Sequence, residues 1–592
     1  MIRRTRRFLP AAGLFALFAC GEGTPPAHAP TATADDASSR ALAIADAVVD
    51  DQLAHMPEGV TQLRVPGARY DWWDDESPAE ITRVEARQDE LLAGLAAIDR
   101  ARLGDSPSGL AYDIARETLE AKKLARVCRI QLWGTLRPIG NLLTRLTDTA
   151  EAQPVGTPDL RMQALARFSR VPAVLDTHVA NLREGLRSGY VQAEVNVRQV
   201  LEQTERLAQG SPETSPFYGP AERDGDPEFR VKMKTLVEQT IDPAIRKYHD
   251  FLETEYLPHA RKAFGVSANP HGDECYLAEI RLATTLPLTP KEVHESGLAE
   301  LARVEGEMKA LSDKSFGGAD LATLRERFRT SPEYLHHDAD SVMRQATDAI
   351  ARAKAAMPKA FGILPPADVG IEPIPKFQER TAAAHYLRAA LDGSRPGTYR
   401  VRLYKAEEQS VILGESTAFH EAIPGHHLQI NIAMTRAGNP RAAKFLFNSG
   451  FAEGWGLYAE RLADELGLYS SDASRFGMLS NAAWRACRLV VDTGIHAFGW
   501  DRDRAIAFLL DHTAMPRTQA AQEVDRYISW PGQATSYMTG YLEIHRLRTE
   551  AEKALGARFD LRAFHDRVLG GGCVPLPVLR ARIEEWVRRG GA

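Results

Sequence analysis

Residues 416 to 430, STAFHEAIPGHHLQI, concentrate side chains that bind metals. Glu421 directly follows His420, and His426 and His427 come six and seven residues after it. Imidazole nitrogens bind zinc at about 2.0–2.1 Å, and two histidines four apart on a helix reach one ion from a single face. The spacing here does not suit a regular helix. His426 would lie on a different side from His420, and His427 about 10 Å further along the axis. Pro424 and Gly425 remove that objection. Proline lacks the backbone donor and disrupts the turn before it, and glycine adopts conformations that other residues avoid. The pair predicts a local bulge in the helix. The stretch then reads as H-E-x-x-H with two residues inserted and His426 as the second ligand. Geometry alone leaves His427 open.

A third ligand is expected from a later helix. NSGFAEGWGLYAERLADELG places Glu453 near the start of a helical stretch and Glu460 seven residues on, along the same face. Glu453 is the expected ligand. Three protein ligands with one open position suit catalysis, whereas four suit a structural zinc. Glu421, beside the first ligand, is placed to take a proton from attacking water and return it to a leaving amine. A donor to the developing oxyanion is sought in RYISWPGQATSYMTGYLEIHRLR. Tyr537, Tyr541 and His545 recur there every four residues, and Tyr537 is the first candidate. A packed aromatic stripe explains the same spacing. Arg395 and Tyr399 could line a peptide groove, although an ordinary turn accounts for DGSRPG equally well.

The elements that must hold these residues are mostly helical. In TPKEVHESGLAELARVEGEMKAL, Thr289 and Glu292 form a capping box around Pro290. Leu298, Leu301, Val304, Met308 and Leu311 follow as a helical stripe. Similar stripes run near 81–103, 108–135, 158–208, 227–265 and 338–357. The segment 362–405, rich in Pro and Gly and containing TYRVRLY, predicts a small sheet with loops. Helices return from about Ile412 to the end, broken near SWPGQATS. No fixed-period repeat is visible, which argues against a solenoid.

The chain of 592 residues, 44% hydrophobic, is long enough for one large helical domain in two lobes or for several domains. Its net charge of -6 and the lack of any basic block after the first ten residues give a nucleic-acid role little support. The start is different. Arg3, Arg4, Arg6 and Arg7 precede an apolar run from Phe8 to Ala19 and then Cys20, the layout of a lipoprotein-type export signal over residues 1–20. Cleavage before Cys20 would remove those four positive charges and leave a mature chain near -10. Residues 21–40 are rich in Pro, Ala, Thr and Gly and predict a flexible linker, so a lipid on Cys20 would tether the body 41–592 to a membrane facing the periplasm or the exterior. No other apolar stretch is long enough to span a bilayer. Cys128, Cys275, Cys487 and Cys573 are widely separated and show no CxxC pair; an exported location permits disulfides, but buried free thiols are expected.

HEAIPGHHLQ, FAEGWGLYAE, SWPGQATSYMTGYLEI and LDGSRPGTY, with YHDFLETEYLPHARKAFGVSANPHGDECY, resemble the bacterial family known as domain of unknown function 885 across most of the mature chain. The resemblance implies a mainly α, helical zinc-peptidase-like (gluzincin-type) body in two lobes around a cleft, with the small sheet near the site and the catalytic helices at about 412–470. It favours His426 over His427. The expected activity is zinc-dependent hydrolysis of peptide bonds in peptides or unfolded chains, with Zn2+ on His420, His426 and Glu453. The alternatives are another amide substrate, or a non-catalytic helical lipoprotein or peptide-binding module with a vestigial site. Oligomeric state has no sequence signal.

Overall fold

Helix begins earlier than the composition suggested. The computed structural model describes residues 34–376, 379 and 382–591, and α1 (Ala34–Ala54) occupies the last part of the expected linker. Past Thr33 the prolines give way to alanine, the strongest helix former, and Ala37, Ala41, Ala45, Val48 and Val49 bury one face of α1. The signal segment 1–20, Cys20 and the linker up to residue 33 lie outside the described residues.

Helices make up most of the described chain. α2 (Pro290–Ser315) starts with the expected capping box: Thr289 accepts from the Glu292 N–H, and Glu292 accepts from the Thr289 N–H at 2.8 Å. Buried apolar residues gather into two clusters. The smaller lies within residues 136–260 and includes Leu146, Phe168, Leu182, Ile241 and Tyr256. The larger draws mainly on residues before and after that stretch, with Tyr190 and Ala193 from within it, and contains the helices that hold the site. No helix among the described residues is long and apolar enough to cross a membrane.

The sheet segment forms β1 (Gly370–Pro373), β2 (His385–Leu387) and β3 (Thr398–Val401). β3 is central, parallel to β1 and antiparallel to β2, with Tyr386 opposite Tyr399. β2 is therefore an edge strand. Then come α3 (Val411–Glu421), α4 (His426–Thr435), α5 (Ser449–Glu465), α6 (Asp472–Ala497), α7 (Arg517–Ser529) and α8 (Ser536–Leu555). Asn448 caps α5 through the Phe451 N–H, and Ser471 caps α6 through the Ser474 N–H. α5 and α8 touch backbone to backbone: a Cβ on Gly540 would lie 1.8 Å from the Gly450 carbonyl oxygen.

Two of the four cysteines depart from the free-thiol expectation. Cys128 and Cys275 form a disulfide with a Cα–Cα distance of 4.7 Å. Cys487 and Cys573 are free thiols.

Candidate metal centre

The Pro-Gly pair ends one helix and lets another begin. α3 stops at Glu421 and α4 starts at His426, with a cis peptide bond between Ile423 and Pro424. This corrects the expected bulge inside a continuous helix. Proline cannot supply the donor that a continuing helix needs. Gly425 is required by a close approach: its N–H bonds to the Phe419 carbonyl at 3.0 Å, and a Cβ there would lie 1.8 Å from the His420 carbonyl oxygen. The Trp455 indole N–H, from α5, donates to the Pro424 carbonyl at 2.9 Å and pins the turn.

The break brings three of the expected side chains together. His420 Nε2 lies 3.5 Å from Glu453 Oε2, and His426 Nε2 lies 3.6 Å from the same oxygen. The imidazoles stand nearly perpendicular, with ring centroids 4.7 Å apart. Donors 2.0–2.1 Å from a tetrahedral zinc are about 3.4 Å from one another, so two imidazole nitrogens and a carboxylate at these separations fit such an ion. Glu421 joins them: one ligand-type atom from each of His420, Glu421 and His426 falls within a 4.8 Å span. Its carboxylate accepts the Tyr386 backbone N–H of β2 at 3.0 Å, which fixes its direction. A second grouping of ligand-type atoms, Cys128, Cys275 and Glu279, contains the disulfide and has no thiolate to offer.

Behind His420 sits Glu460. Its carboxylate takes His420 Nδ1 at 2.9 Å and the Ser416 hydroxyl, and Asn481 of α6 donates to that hydroxyl at 3.1 Å. The carboxylate holds the proton on Nδ1 and turns Nε2 toward Glu453. Burial disfavours charge here, yet the carboxylates of Glu453, Glu460 and Glu421 outweigh it and push His420 up to about 10. Burial likewise opposes ionisation of Glu453, and the two histidines hold it well below the usual carboxylate range. For Glu460, burial is overcome by the Arg485 charge and then by His420.

His427 faces elsewhere. It is fully buried, with Nε2 on the Ala367 carbonyl at 3.1 Å and Nδ1 near the Tyr386 hydroxyl and Asn431 at 3.1 and 3.2 Å. It ties α4 to β2 rather than joining the cluster.

Tyr537 is not brought into hydrogen-bonding contact with the histidines. Its hydroxyl accepts from Arg526 at 3.3 Å, and its ring packs on the Arg488 guanidinium 4.2 Å away. Tyr541 and His545 pack together on α8, where Tyr541 faces the charges of Glu300 and Arg303. Tyr399 is buried beside Glu421, and half-buried Arg395 donates to the Gln62 carbonyl at 3.0 Å. The residues that sequence reasoning missed are those that position others: Ser416, Asn481, Trp455, Gly456 and Tyr386. Glu460 was visible through its spacing from Glu453, but its partner was not.

Fold and site together define a mainly helical protein whose broken helix pair and following helix gather two histidines and a glutamate, with a second glutamate behind one histidine. The chain belongs to the bacterial protein family of unknown function DUF885, whose family model matches residues 57–583. A crystal structure from Colwellia psychrerythraea, described as a candidate lipoprotein, is similar in fold: TM-score 0.87 and 24% identity, covering 93% of this chain and 99% of that one. A structure from Shewanella oneidensis, described as a candidate lipoprotein of unknown function, has a TM-score of 0.69 and 19% identity with the same coverage. No curated protein matches the sequence.

Proposed function

We propose that this protein is a zinc-dependent peptidase that hydrolyses peptide bonds in peptides or unfolded chains. The observation that carries the reading is the approach of His420 Nε2 and His426 Nε2 to one Glu453 oxygen, at 3.5 and 3.6 Å, with the Glu421 carboxylate alongside. Bound there, zinc would supply Lewis acidity, polarising a carbonyl and making water a nucleophile near neutral pH. The chain's own residues do the rest. His420, His426 and Glu453 hold the ion, and Glu460 keeps His420 in the tautomer that presents Nε2. Glu421, oriented by the Tyr386 N–H, takes a proton from the attacking water and delivers it to the leaving amine. β2 is an edge strand next to Glu421, and an extended peptide can add to such an edge through main-chain hydrogen bonds. Tyr537 is the proposed oxyanion donor; its Arg526 contact keeps the hydroxyl oriented.

The two hydrophobic clusters support a helical body in two lobes of the gluzincin type. The basic start, the apolar run to Cys20 and the description of both structural neighbours as candidate lipoproteins support export and a lipid anchor on Cys20, with the body facing the periplasm or exterior.

The test uses the mature chain loaded with zinc, incubated with a mixed peptide library and read by mass spectrometry beside Glu421→Gln. Cleavage by the wild type alone is expected. Zinc-loaded wild type that cleaves nothing would move the reading to a non-peptide amide or to a non-catalytic binding module.

A further inference from the structure

Next to the candidate centre, three arginines share two carboxylates, Glu523 and Glu460. Arg488 of α6 donates to Glu523 of α7 at 3.0 Å, and Arg526 of α7 reaches the same carboxylate at 3.6 Å. The third, Arg485, comes no nearer than 3.8 Å to Glu460, which is already committed to His420 and Ser416. Arg485 and Arg488 are 8% and 2% exposed. Arg485 Nε and Nη1 and Arg488 Nη1 are buried without a protein hydrogen-bond partner. A guanidinium has five donors and no acceptor, and leaving them unmatched away from bulk water is costly.

The cluster is also braced. Arg485 and Arg488 both lie on the Trp484 indole, at 4.2 and 4.3 Å from its centroid, and Arg488 is held on its other contact by the Tyr537 ring at 4.2 Å. Arg488 Nε donates to the Tyr527 hydroxyl at 3.0 Å, and Arg526 donates to Gln533 at 2.6 Å. Stacked planar forks in fixed orientations are what bidentate capture of a carboxylate requires. The cluster reaches the surface on one side, where the side chains of Arg526 and Glu523 keep 17% and 15% of their exposure. Burial lowers the Arg485 guanidinium in spite of Glu460, so the charge there is under-compensated.

We infer that Arg485, Arg488 and Arg526 form a pocket for a carboxylate of the peptide substrate. The inference rests on the peptidase reading for the identity of the ligand. Arg485 is two contacts from the metal-facing imidazole, through Glu460 at 3.8 Å and on to His420 at 2.9 Å. An extended residue spans about 3.5 Å, so the bound carboxylate belongs within a few residues of the bond to be cut. The α-carboxylate of the chain end fits that position; a nearby Asp or Glu side chain offers the same chemistry.

The experiment measures binding to zinc-loaded Glu421→Gln protein by calorimetry. Three versions of one peptide are used: free acid, C-terminal amide, and amide with a Glu near the end. The expected result is at least tenfold tighter binding of the acid than of the plain amide. Arg526→Gln, on the partly exposed side of the cluster, should abolish that preference, so that acid and amide bind alike, with the zinc content unchanged. If the Glu-containing amide binds as tightly as the acid, a side-chain carboxylate is the ligand and the pocket stands. Equal affinity for all three peptides overturns the proposal. A preference for the acid without cleavage by the wild type would keep the pocket and sink the peptidase reading; cleavage without any preference would do the reverse.

Discussion

Gly456 of α5 lies against the face of His420: a Cβ at position 456 would sit 2.6 Å from Cε1 and 2.7 Å from Nε2 of the imidazole. A helix interior normally gains about 1 kcal/mol when glycine becomes alanine. Here the added methyl must push a ring that is locked from behind by Glu460. Gly456→Ala is therefore expected to weaken zinc binding at least tenfold, and overpacking against the locked ring, at about 1–3 kcal/mol, offsets or exceeds the helix gain, so the apoprotein is not stabilised. Competition with a chromophoric chelator measures the affinity. An unchanged zinc affinity would show that the ring does not need this space.

Glu460 and Glu421 are predicted to fail in different ways. Removal of a carboxylate that orients a ligating histidine costs about 10–100-fold in metal affinity. Glu460→Gln should show that loss. Glu421→Gln should keep its zinc and lose activity instead, by about 10²–10⁴ for a general base. Zinc content and single-turnover cleavage, measured on both variants, separate the roles. Equal zinc loss in the two would contradict the assignment.

Three core histidines set an acid limit. Burial pushes His178 down to about 4 and His496 and His565 down to about 3. His565 donates to the Ala360 carbonyl at 2.8 Å and accepts from the Tyr458 hydroxyl at 2.8 Å, so the neutral ring is already satisfied. His496 is likewise satisfied, between the Val266 N–H and the Tyr527 carbonyl. In the unfolded chain an imidazole titrates near 6.5. Below that pH the unfolded state binds protons that the folded state refuses. Their stabilisation is therefore complete above about pH 6.5 and falls progressively toward the folded values, by up to about 1.4 kcal/mol per pH unit for each ring. Denaturant midpoints at pH 7.5, 6 and 5 should decline in that order. A midpoint that stays constant from 7.5 to 5 would refute the reading.

Local signals in the sequence carried further than distant ones. The capping box at Thr289 and Glu292 is contained in four residues, and it forms as read. TYRVRLY marked the central strand, although only Thr398–Val401 pairs. The meeting of His420, His426 and Glu453 was legible because histidine and glutamate recur there at the limited spacings a metal site would use. The partners that orient them were not, since Ser416, Glu460 and Arg485 stand on three different helices and meet only after packing. Cys128 and Cys275 are 147 residues apart, and no local pattern pairs them. The start of α1 was missed because serine and aspartate, which favour caps and turns, are interleaved with its alanines; burial of Ala37 and Ala41 decides for helix.

The adjacent histidines 426 and 427 offer the sharpest comparison. His426 keeps some solvent contact and points Nε2 at Glu453, whereas His427 is fully buried and links α4 to the Ala367 carbonyl and the Tyr386 hydroxyl. His426→Ala removes a donor from the cluster without breaking a packing bridge. It should abolish stoichiometric zinc binding and leave the apoprotein's melting temperature within a degree or two of the wild type. His427→Ala leaves the donor set complete but opens a void and orphans its partners, a loss of about 1–3 kcal/mol. It should bind zinc stoichiometrically at low temperature and unfold at a lower denaturant concentration than His426→Ala. Metal content and apoprotein unfolding on the two variants decide the matter: zinc lost in His427→Ala and retained in His426→Ala would exchange their roles, and the Pro-Gly break would then have to present the second histidine rather than the first.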